Sequence, residues 1–125
     1  PHMLKQGSGA IVNTSSVAGL VGLKSVSAYV ASKHGIIGLT KAAALECAES
    51  GIRVNAICPA FVRTPLVDLL VGGDSKYDAA LTARHPVGRM GTPDEVAAAV
   101  VWLCSDASSF VTGHALLADG GYVAQ

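Results

Sequence analysis

The sequence is poor in charge and in aromatic side chains. Charged residues make up 14% of the 125 residues and aromatic residues 5%, and nine Lys and Arg balance nine Asp and Glu. A formal net charge of zero, with no basic stripe, provides no electrostatic footprint for nucleic acid or for an anionic membrane surface. Low charge combined with 50% hydrophobic residues also excludes an intrinsically disordered chain, which has the opposite balance.

Cysteines are few, and their spacing argues against the usual cysteine-based sites. The three of them, Cys47, Cys58 and Cys104, form no C-x-x-C pair, so neither a disulfide framework nor a zinc site is expected. We expect buried free thiols that act as small hydrophobes. The four histidines show no metal-ligand spacing, so we expect them in surface or packing roles and predict no metal site.

Long uninterrupted hydrophobic runs are also missing. Residues 7–23 carry no charge, but their Ser, Thr, Asn and Gly content is atypical of a membrane span. The opening residues do not show the charged stretch and apolar run of a secretory signal. These features predict a soluble cytoplasmic protein that has no membrane partner.

The apolar pattern alternates between the period of a strand and that of a helix. Short apolar runs predict strands over 10–14, 53–58 and 114–118. Recurrence at three- and four-residue steps predicts helices over 28–50, near 66–71 and 74–84, and over 94–104. This alternation is typical of a parallel α/β sheet that helices cover on both faces. The first strand is left with an open edge, which we expect to pair with a segment outside these residues.

Helix ends carry local signals at two places. Ser25 or Ser27 is expected to cap the long helix, and Gly51 is suited to end it. Thr92 and Glu95 have the spacing of a capping box at the start of the last helix. These signals define where the two longest helices begin and where the first of them ends.

Three polar side chains point to proton-transfer chemistry. Tyr29 and Lys33 are four residues apart on the long helix, so they share a face about one turn apart. A cation one turn away favours the phenolate form of a tyrosine, which can then exchange a proton with an alcohol or a carbonyl oxygen. Ser16 follows the first strand, where the loops of parallel sheets build sites, and its hydroxyl can hold a substrate oxygen. The alternative is a packing tyrosine, a solvated lysine and a turn-forming serine.

Several motifs in order carry a resemblance to a known family. They are Gly-Ala-Ile-Val-Asn-Thr-Ser-Ser over 9–16, Tyr-Val-Ala-Ser-Lys over 29–33, Gly-Ile-Arg-Val-Asn over 51–55, Pro59 to Thr64, residues 89–97, Thr112-Gly113 and Asp-Gly-Gly over 119–121. In this order and spacing the chain resembles the C-terminal half of a classical short-chain dehydrogenase/reductase. The resemblance implies one partial domain over 1–125, with about three strands of a Rossmann-like doubly wound sheet and the N-terminal half absent.

The resemblance also implies a role for each site residue. Tyr29 is expected to be the general acid/base, Lys33 to bind the nicotinamide ribose, and Ser16 to bind the substrate oxygen. Residues expected at the cofactor, NAD or NADP, are Tyr29, Lys33, Pro59, Ala60, Val62 and Thr64. The implied reaction is hydride transfer between a secondary alcohol and a ketone, with residues 65–88 as a lid over the substrate. Members of the family are usually homo-oligomers, so a tetramer or a dimer is expected.

Two departures from the family pattern limit what the resemblance implies. The family usually has Pro-Gly where this sequence has Pro59-Ala60, and we expect adjusted contacts there rather than a lost site. The glycine-rich phosphate-binding turn is missing from these residues, so the isolated chain is expected to be inactive. Two alternatives stay open. One is a nucleotide-sugar epimerase or dehydratase of the extended branch, and the other is a non-catalytic oligomerising fragment.

Overall fold

A computed structural model describes residues 1–125 as three β-strands and five α-helices. The strands are β1 (Gly9–Thr14), β2 (Ile52–Pro59) and β3 (Ala115–Ala118). The helices are α1 (His2–Gln6), α2 (Ser27–Cys47), α3 (Pro65–Val71), α4 (Ser75–Thr82) and α5 (Pro93–Cys104). No helix has the length and apolarity that crossing a membrane requires.

The sheet is parallel throughout and has the order β1-β2-β3. β2 lies in the middle, where Gly9 of β1 is in register with Ile52 and Ala115 of β3 with Ala56. The predicted parallel α/β fold with three strands is therefore confirmed. β1 pairs with β2 only, so its other edge is open within these residues, as the sequence predicts.

The helix α2 packs one face against β2. Ala44 forms a buried cluster with Ile52 and Val54 of that strand. The Thr40 hydroxyl, 1% exposed, accepts a hydrogen bond of 2.9 Å from the Asn13 amide of β1. Because these contacts tie the helix to both strands, they determine which of its residues reach the carboxyl edge of the sheet.

The guanidinium of Arg53 fastens α5 to the sheet. Its nitrogens donate to the carbonyl of Leu103 at 2.9 Å, to that of Ser105 at 3.0 Å and to the Ser108 hydroxyl at 2.9 Å. The carbonyls at a helix C-terminus have no partner within the helix, and a cation is a favourable one. The capping box at the other end of α5 is confirmed: Thr92 accepts from the Glu95 N–H at 3.4 Å.

The serine cap expected for α2 is wrong. Val26 occupies the cap position and makes no side-chain hydrogen bond to the helix. Ser25 has φ +71°, a left-handed conformation, so the chain turns there rather than capping the helix. The end of the helix follows the prediction more closely, because a short 3₁₀ turn over Ala48–Ser50 leads to Gly51 at φ 70°.

The expectation of buried thiols holds for one cysteine of three. Cys58 is buried in β2, Cys47 is half-buried, and Cys104 is exposed at the end of α5. Burial follows the element here: β2 is covered on both faces, whereas α5 has one face in solvent. No cluster of metal-ligating side chains is found among the described residues.

Candidate active site

The carboxyl ends of β1 and β2 bring together the predicted site residues nearest the sheet. Lys33 on α2 donates from Nζ to the carbonyl of Thr14, the last residue of β1, at 3.1 Å. Ser16 follows the same strand and donates from Oγ to the carbonyl of Pro59, the last residue of β2, at 3.4 Å. Two adjacent strand ends are thus linked to the two side chains.

The bond from Ser16 to Pro59 is long for a hydroxyl donor. Such bonds are typically about 2.7–2.8 Å, so a contact of this length is weak. The Ser16 Oγ also accepts from the Ala18 N–H at 3.2 Å, which caps a 3₁₀ turn over Val17–Gly19. The hydroxyl is therefore held in place through its acceptor side, while its proton is easily redirected to another oxygen.

Tyr29 and Lys33 meet on one side of α2. The Lys33 Nζ lies 5.5 Å from the centroid of the Tyr29 ring, within the range of a cation–π contact. Tyr29 is 47% exposed, so a ligand can reach this residue. No hydrogen bond joins Tyr29 to Ser16 within the chain. Ser16 bonds to the end of β2 and Lys33, beside Tyr29, bonds to the end of β1.

Ser15 is a site residue that the sequence motifs do not single out. It is 3% exposed, and its hydroxyl donates to the Lys33 carbonyl at 2.9 Å, which fixes α2 against the end of β1. Gly19 makes this contact possible: an added Cβ would lie 2.5 Å from the Ser15 Oγ and 2.8 Å from the Lys33 carbonyl. The serine pair in the sequence was the available signal for Ser15, and nothing indicated the role of Gly19.

Cys58 lies beneath the same site. It is fully buried near the end of β2, and burial raises the pKa of its thiol. The hydrogen bonds with Ser15 and Ser16 and the charge of Lys33 partly oppose this rise. A buried thiol of raised pKa stays protonated and unreactive at neutral pH. Its position makes Cys58 a packing residue under Ser15 and Ser16.

The segment after β2 has hydrogen-bonding groups to spare. Ala60 donates to the Ala118 carbonyl of β3 at 3.4 Å and keeps an ordinary negative φ, so alanine is accommodated where the family pattern has glycine. Val62 forms a parallel bridge with Gly91, in which Gly91 makes both hydrogen bonds. The N–H and the carbonyl of Val62 therefore have no partner in the chain. Thr64 caps α3 by accepting from the Val67 N–H at 3.3 Å, which leaves its own hydroxyl proton free to donate.

The predicted lid region forms α3 and α4, and ion pairs join these helices to the segment before them. Arg63 contacts the carboxylates of Asp68 at 3.3 Å and Asp78 at 2.7 Å. α3 exposes much of its apolar surface: Leu66 is 75% exposed and Leu69 79%. The two helices are therefore attached at their base and present apolar side chains without a partner in these residues.

Similarity to known proteins agrees with the fold and the motif order. A family model described as enoyl-(acyl carrier protein) reductase matches residues 1–123. Cyclohexanol dehydrogenase from Acinetobacter sp. strain SE19 is 49% identical over 125 residues, which are 100% of this chain and 47% of that protein. 2,5-Dichloro-2,5-cyclohexadiene-1,4-diol dehydrogenase from Sphingobium indicum strain B90A is 49% identical over 123 residues, 98% of this chain and 49% of that protein.

A solved structure shows the same agreement in three dimensions. The structure of ElxO with NADP bound superimposes with a TM-score of 0.92 at 39% identity, and the match covers 99% of this chain and 50% of that one. The chain thus spans about half the length of the relatives it matches. With a family model that matches nearly every residue and relatives of this identity, the chain belongs to the short-chain dehydrogenase/reductase family.

Proposed function

We propose that the protein carrying this chain is an NAD(P)-dependent oxidoreductase that interconverts a secondary alcohol and a ketone, with Tyr29 as general acid/base. The observation that carries the proposal is the position of Lys33, which bonds to the end of β1 while its Nζ lies 5.5 Å from the Tyr29 ring centroid. This arrangement places a cation beside a tyrosine whose hydroxyl can exchange a proton with an alcohol or a carbonyl oxygen.

Ser16 has the second role in this proposal. Its hydroxyl makes only a weak hydrogen bond of 3.4 Å to the Pro59 carbonyl. It can therefore turn to donate a hydrogen bond to the oxygen of the substrate. A donor aimed at that oxygen stabilises the negative charge that develops there during proton and hydride transfer. In the oxidation direction Tyr29 takes the hydroxyl proton, and in the reduction direction it returns the proton to the carbonyl oxygen.

The segment after β2 fits a nicotinamide cofactor. A carboxamide needs a donor and an acceptor, and Val62 presents a backbone N–H and a carbonyl without partners in the chain. Thr64 adds a hydroxyl donor, and Pro59 and Ala60 lie at the strand end beside Ser16. We assign Tyr29 and Lys33 to the ribose side of the same cofactor. When bound, NAD(P) supplies the hydride acceptor or donor for the substrate carbon.

The proposed substrate is a cyclic secondary alcohol with an apolar body. Cyclohexanol dehydrogenase and the dichlorocyclohexadiene-diol dehydrogenase are, by name, enzymes of ring alcohols, and both are 49% identical to this chain. α3 supports the same class, because Leu66 and Leu69 are exposed apolar side chains in the proposed lid over 65–88. Closing such side chains over a ring removes apolar surface from water.

We also propose that the protein is a homo-oligomer, either a tetramer or a dimer. The face of α2 that points away from the sheet exposes Leu39 by 63% and Leu45 by 81%. On α5, Val101 and Trp102 are 68% and 41% exposed. Apolar surface of this kind is typical of subunit contacts, which are enriched in aromatic side chains.

The decisive experiment uses the protein that contains these residues and its Tyr29→Phe variant. Wild type is expected to oxidise cyclohexanol with a nicotinamide cofactor, measured as the growth of NAD(P)H absorbance, and to oxidise a straight-chain primary alcohol of similar size more slowly. The Tyr29→Phe variant is expected to lose turnover but to retain NAD(P)H binding, because the ring stays and only the proton carrier is removed. Full activity in this variant would refute the assignment of Tyr29.

A pair of serine variants tests the second role. Ser16→Ala is expected to lower kcat/KM by about a hundredfold, the magnitude of a lost donor to a developing oxyanion. Ser27→Ala is the matched control, since Ser27 is an exposed residue at the start of α2 that caps nothing. Equal activity in the two variants would leave Ser16 without a catalytic role.

A further inference from the structure

His85 is a buried histidine whose two ring nitrogens are both engaged. It is 3% exposed and lies between α4 and the segment that follows β2. Its Nε2 accepts a hydrogen bond from the Phe61 N–H at 3.3 Å, and its Nδ1 lies 3.0 Å from the Leu81 carbonyl of α4. Because a backbone N–H only donates and a carbonyl only accepts, the proton must be on Nδ1 and the lone pair on Nε2. The two contacts therefore define a neutral ring with one tautomer.

Packing holds this ring in place. Its centroid lies 6.1 Å from that of Phe61 and 5.6 Å from that of Tyr122, with edge-on geometry in both contacts. Gly120 lies beside the same side chain, since a Cβ added there would lie 3.6 Å from the His85 Cβ and 3.7 Å from its Cδ2, in ordinary van der Waals contact. Contacts with Phe61, Tyr122 and Leu81, which lie in three separate parts of the chain, consequently determine the direction of the Nε2 lone pair.

The hydrogen bond to Phe61 has a consequence for its neighbours. A peptide unit is planar and trans, so anchoring the Phe61 N–H also aims the Ala60 carbonyl on the opposite side. The Phe61 carbonyl accepts from the Gly91 N–H at 3.0 Å, which in the same way aims the Val62 N–H. The Ala60 carbonyl and the Val62 N–H have no partner in the chain. His85 and Gly91 thus set the directions of the open backbone groups in this segment.

We infer that His85 is a positioning residue for the nicotinamide-binding segment, and that it acts through the Phe61 N–H. The inference rests on the proposed function, because the ligand of the Ala60 and Val62 groups is the cofactor assigned there. Through Leu81 the same ring links that segment to α4, so the base of the lid and the cofactor contacts share one anchor. No other side chain donates to or accepts from the backbone of residues 60–62.

Two substitutions separate the two nitrogens of the ring. The amide oxygen of glutamine lies the same number of bonds from Cα as Nε2, so His85→Gln can still accept from the Phe61 N–H. The asparagine amide matches Nδ1 instead, so His85→Asn can donate to the Leu81 carbonyl but does not reach Phe61. Both variants lose the ring and its contacts with Phe61 and Tyr122. The glutamine side chain is one methylene longer, so unfolding temperatures are measured to separate packing from hydrogen bonding.

The experiment measures cofactor affinity and amide exchange in the protein that contains these residues. His85→Asn is expected to raise the Kd for NAD(P)H by about tenfold, the effect of one lost hydrogen bond of ordinary strength, while His85→Gln stays near wild type. The KM for the cofactor is expected to rise in the Asn variant, with little change in kcat at saturation. Without cofactor, hydrogen exchange at the Phe61 amide is expected to be faster in His85→Asn than in His85→Gln, because only the Asn variant loses the acceptor of that amide.

The outcomes distinguish this inference from the proposed function. If wild type binds NAD(P)H but the two variants have equal Kd values and equal amide exchange, His85 is only a packing residue and the inference is overturned. If wild type does not bind NAD(P)H, the proposed function fails, and the amide exchange of the two variants still decides whether His85 orders the segment. The two variants are expected to have similar unfolding temperatures. A much lower unfolding temperature of the Asn variant alone, with unchanged amide exchange at Phe61, would also overturn the inference.

Discussion

The Lys33 ammonium is bonded to the carbonyl of Thr14 at 3.1 Å and lies 5.5 Å from the ring centroid of Tyr29. One side chain thereby connects the end of a strand to a tyrosine one helical turn away. The bond to the carbonyl holds the ammonium in place, so its charge has a defined position relative to the Tyr29 ring. The bond to Thr14 depends on how α2 lies on the sheet, whereas the approach to Tyr29 lies within the helix.

Replacing Lys33 tests this relationship. In Lys33→Met the side chain keeps its length but loses its charge and its donor, so kcat/KM is expected to fall by about a hundredfold or more. Lys41→Met is the matched control, because Lys41 is exposed on the same helix and takes part in no ion pair. Steady-state rates of alcohol oxidation by the two variants provide the comparison. A comparable loss in both would mean that charge at Lys33 has no special effect.

Gly19 is expected to tolerate no side chain. The Cβ of Gly19→Ala would lie 2.5 Å from Ser15 Oγ, 2.8 Å from the Lys33 carbonyl and 2.8 Å from Ile37 Cδ1. Overpacking of this kind costs about 1–3 kcal/mol of folding free energy. We also expect lower activity, since the shift reaches Ser15 and Lys33 together. Chemical denaturation measures the first effect and turnover the second.

Gly35→Ala is the control with the opposite sign. Gly35 lies inside α2 and keeps a negative φ, and a Cβ added there would meet no atom within 4 Å beyond its own stretch of helix. Alanine at such a site stabilises a helix by about 0.5–1 kcal/mol relative to glycine. Destabilisation by both glycine replacements would show that the effect at Gly19 is not a local clash.

The ion pair between Arg89 and Glu95 is expected to make stability fall in acid. Arg89 and the Thr92 N–H lower the pKa of Glu95 from 4.5 to about 2. Since the folded pKa lies below the unfolded one, the contribution is present above pH 4.5 and is lost as the pH falls toward 2. Denaturation midpoints across this range should show a shallower loss in Glu95→Gln than in wild type. Glu46→Gln, at an exposed position on α2, is expected to follow the wild-type curve.

The three cysteines are expected to react with thiol reagents in order of exposure. Cys104 is exposed and should be alkylated first, whereas burial both shields Cys58 and raises the pKa of its thiol. Mass spectrometry of the native protein should find Cys58 unmodified until denaturant is added. Rapid modification of native Cys58 would contradict the buried position of the end of β2.

The isolated 125 residues are expected to bind no dinucleotide and to self-associate. They include the segment over 59–64 but no glycine-rich phosphate-binding turn, and the edge of β1 has no partner strand. Calorimetry with NADH and sedimentation of the chain test the two statements. Ile11→Lys, which adds a charge to β1 where Ile11 is 38% exposed, should reduce association. Micromolar binding by a monodisperse chain would contradict the expectation.

Local patterns predict most of the fold, and they are wrong where the direction in which the chain enters a helix decides the contact. The capping box of Thr92 and Glu95 and the turn at Gly51 are local, so their sequence signals suffice. The expected serine cap of α2 is wrong because the turn at Ser25, with φ +71°, places Val26 at the helix start instead. A cap depends on the direction from which the chain enters the helix, and residue type alone does not determine that direction.

The family, the parallel α/β sheet and the spacing of Ser16, Tyr29 and Lys33 can be predicted from the amino-acid sequence alone, because motif order and apolar period are properties of the chain. Only the tertiary structure showed that Ser15 bonds to the Lys33 carbonyl and that His85 accepts from the Phe61 N–H. These partners are 18 and 24 residues apart. Which distant groups meet depends on how the helices pack on the sheet, and no local pattern of residues encodes that packing.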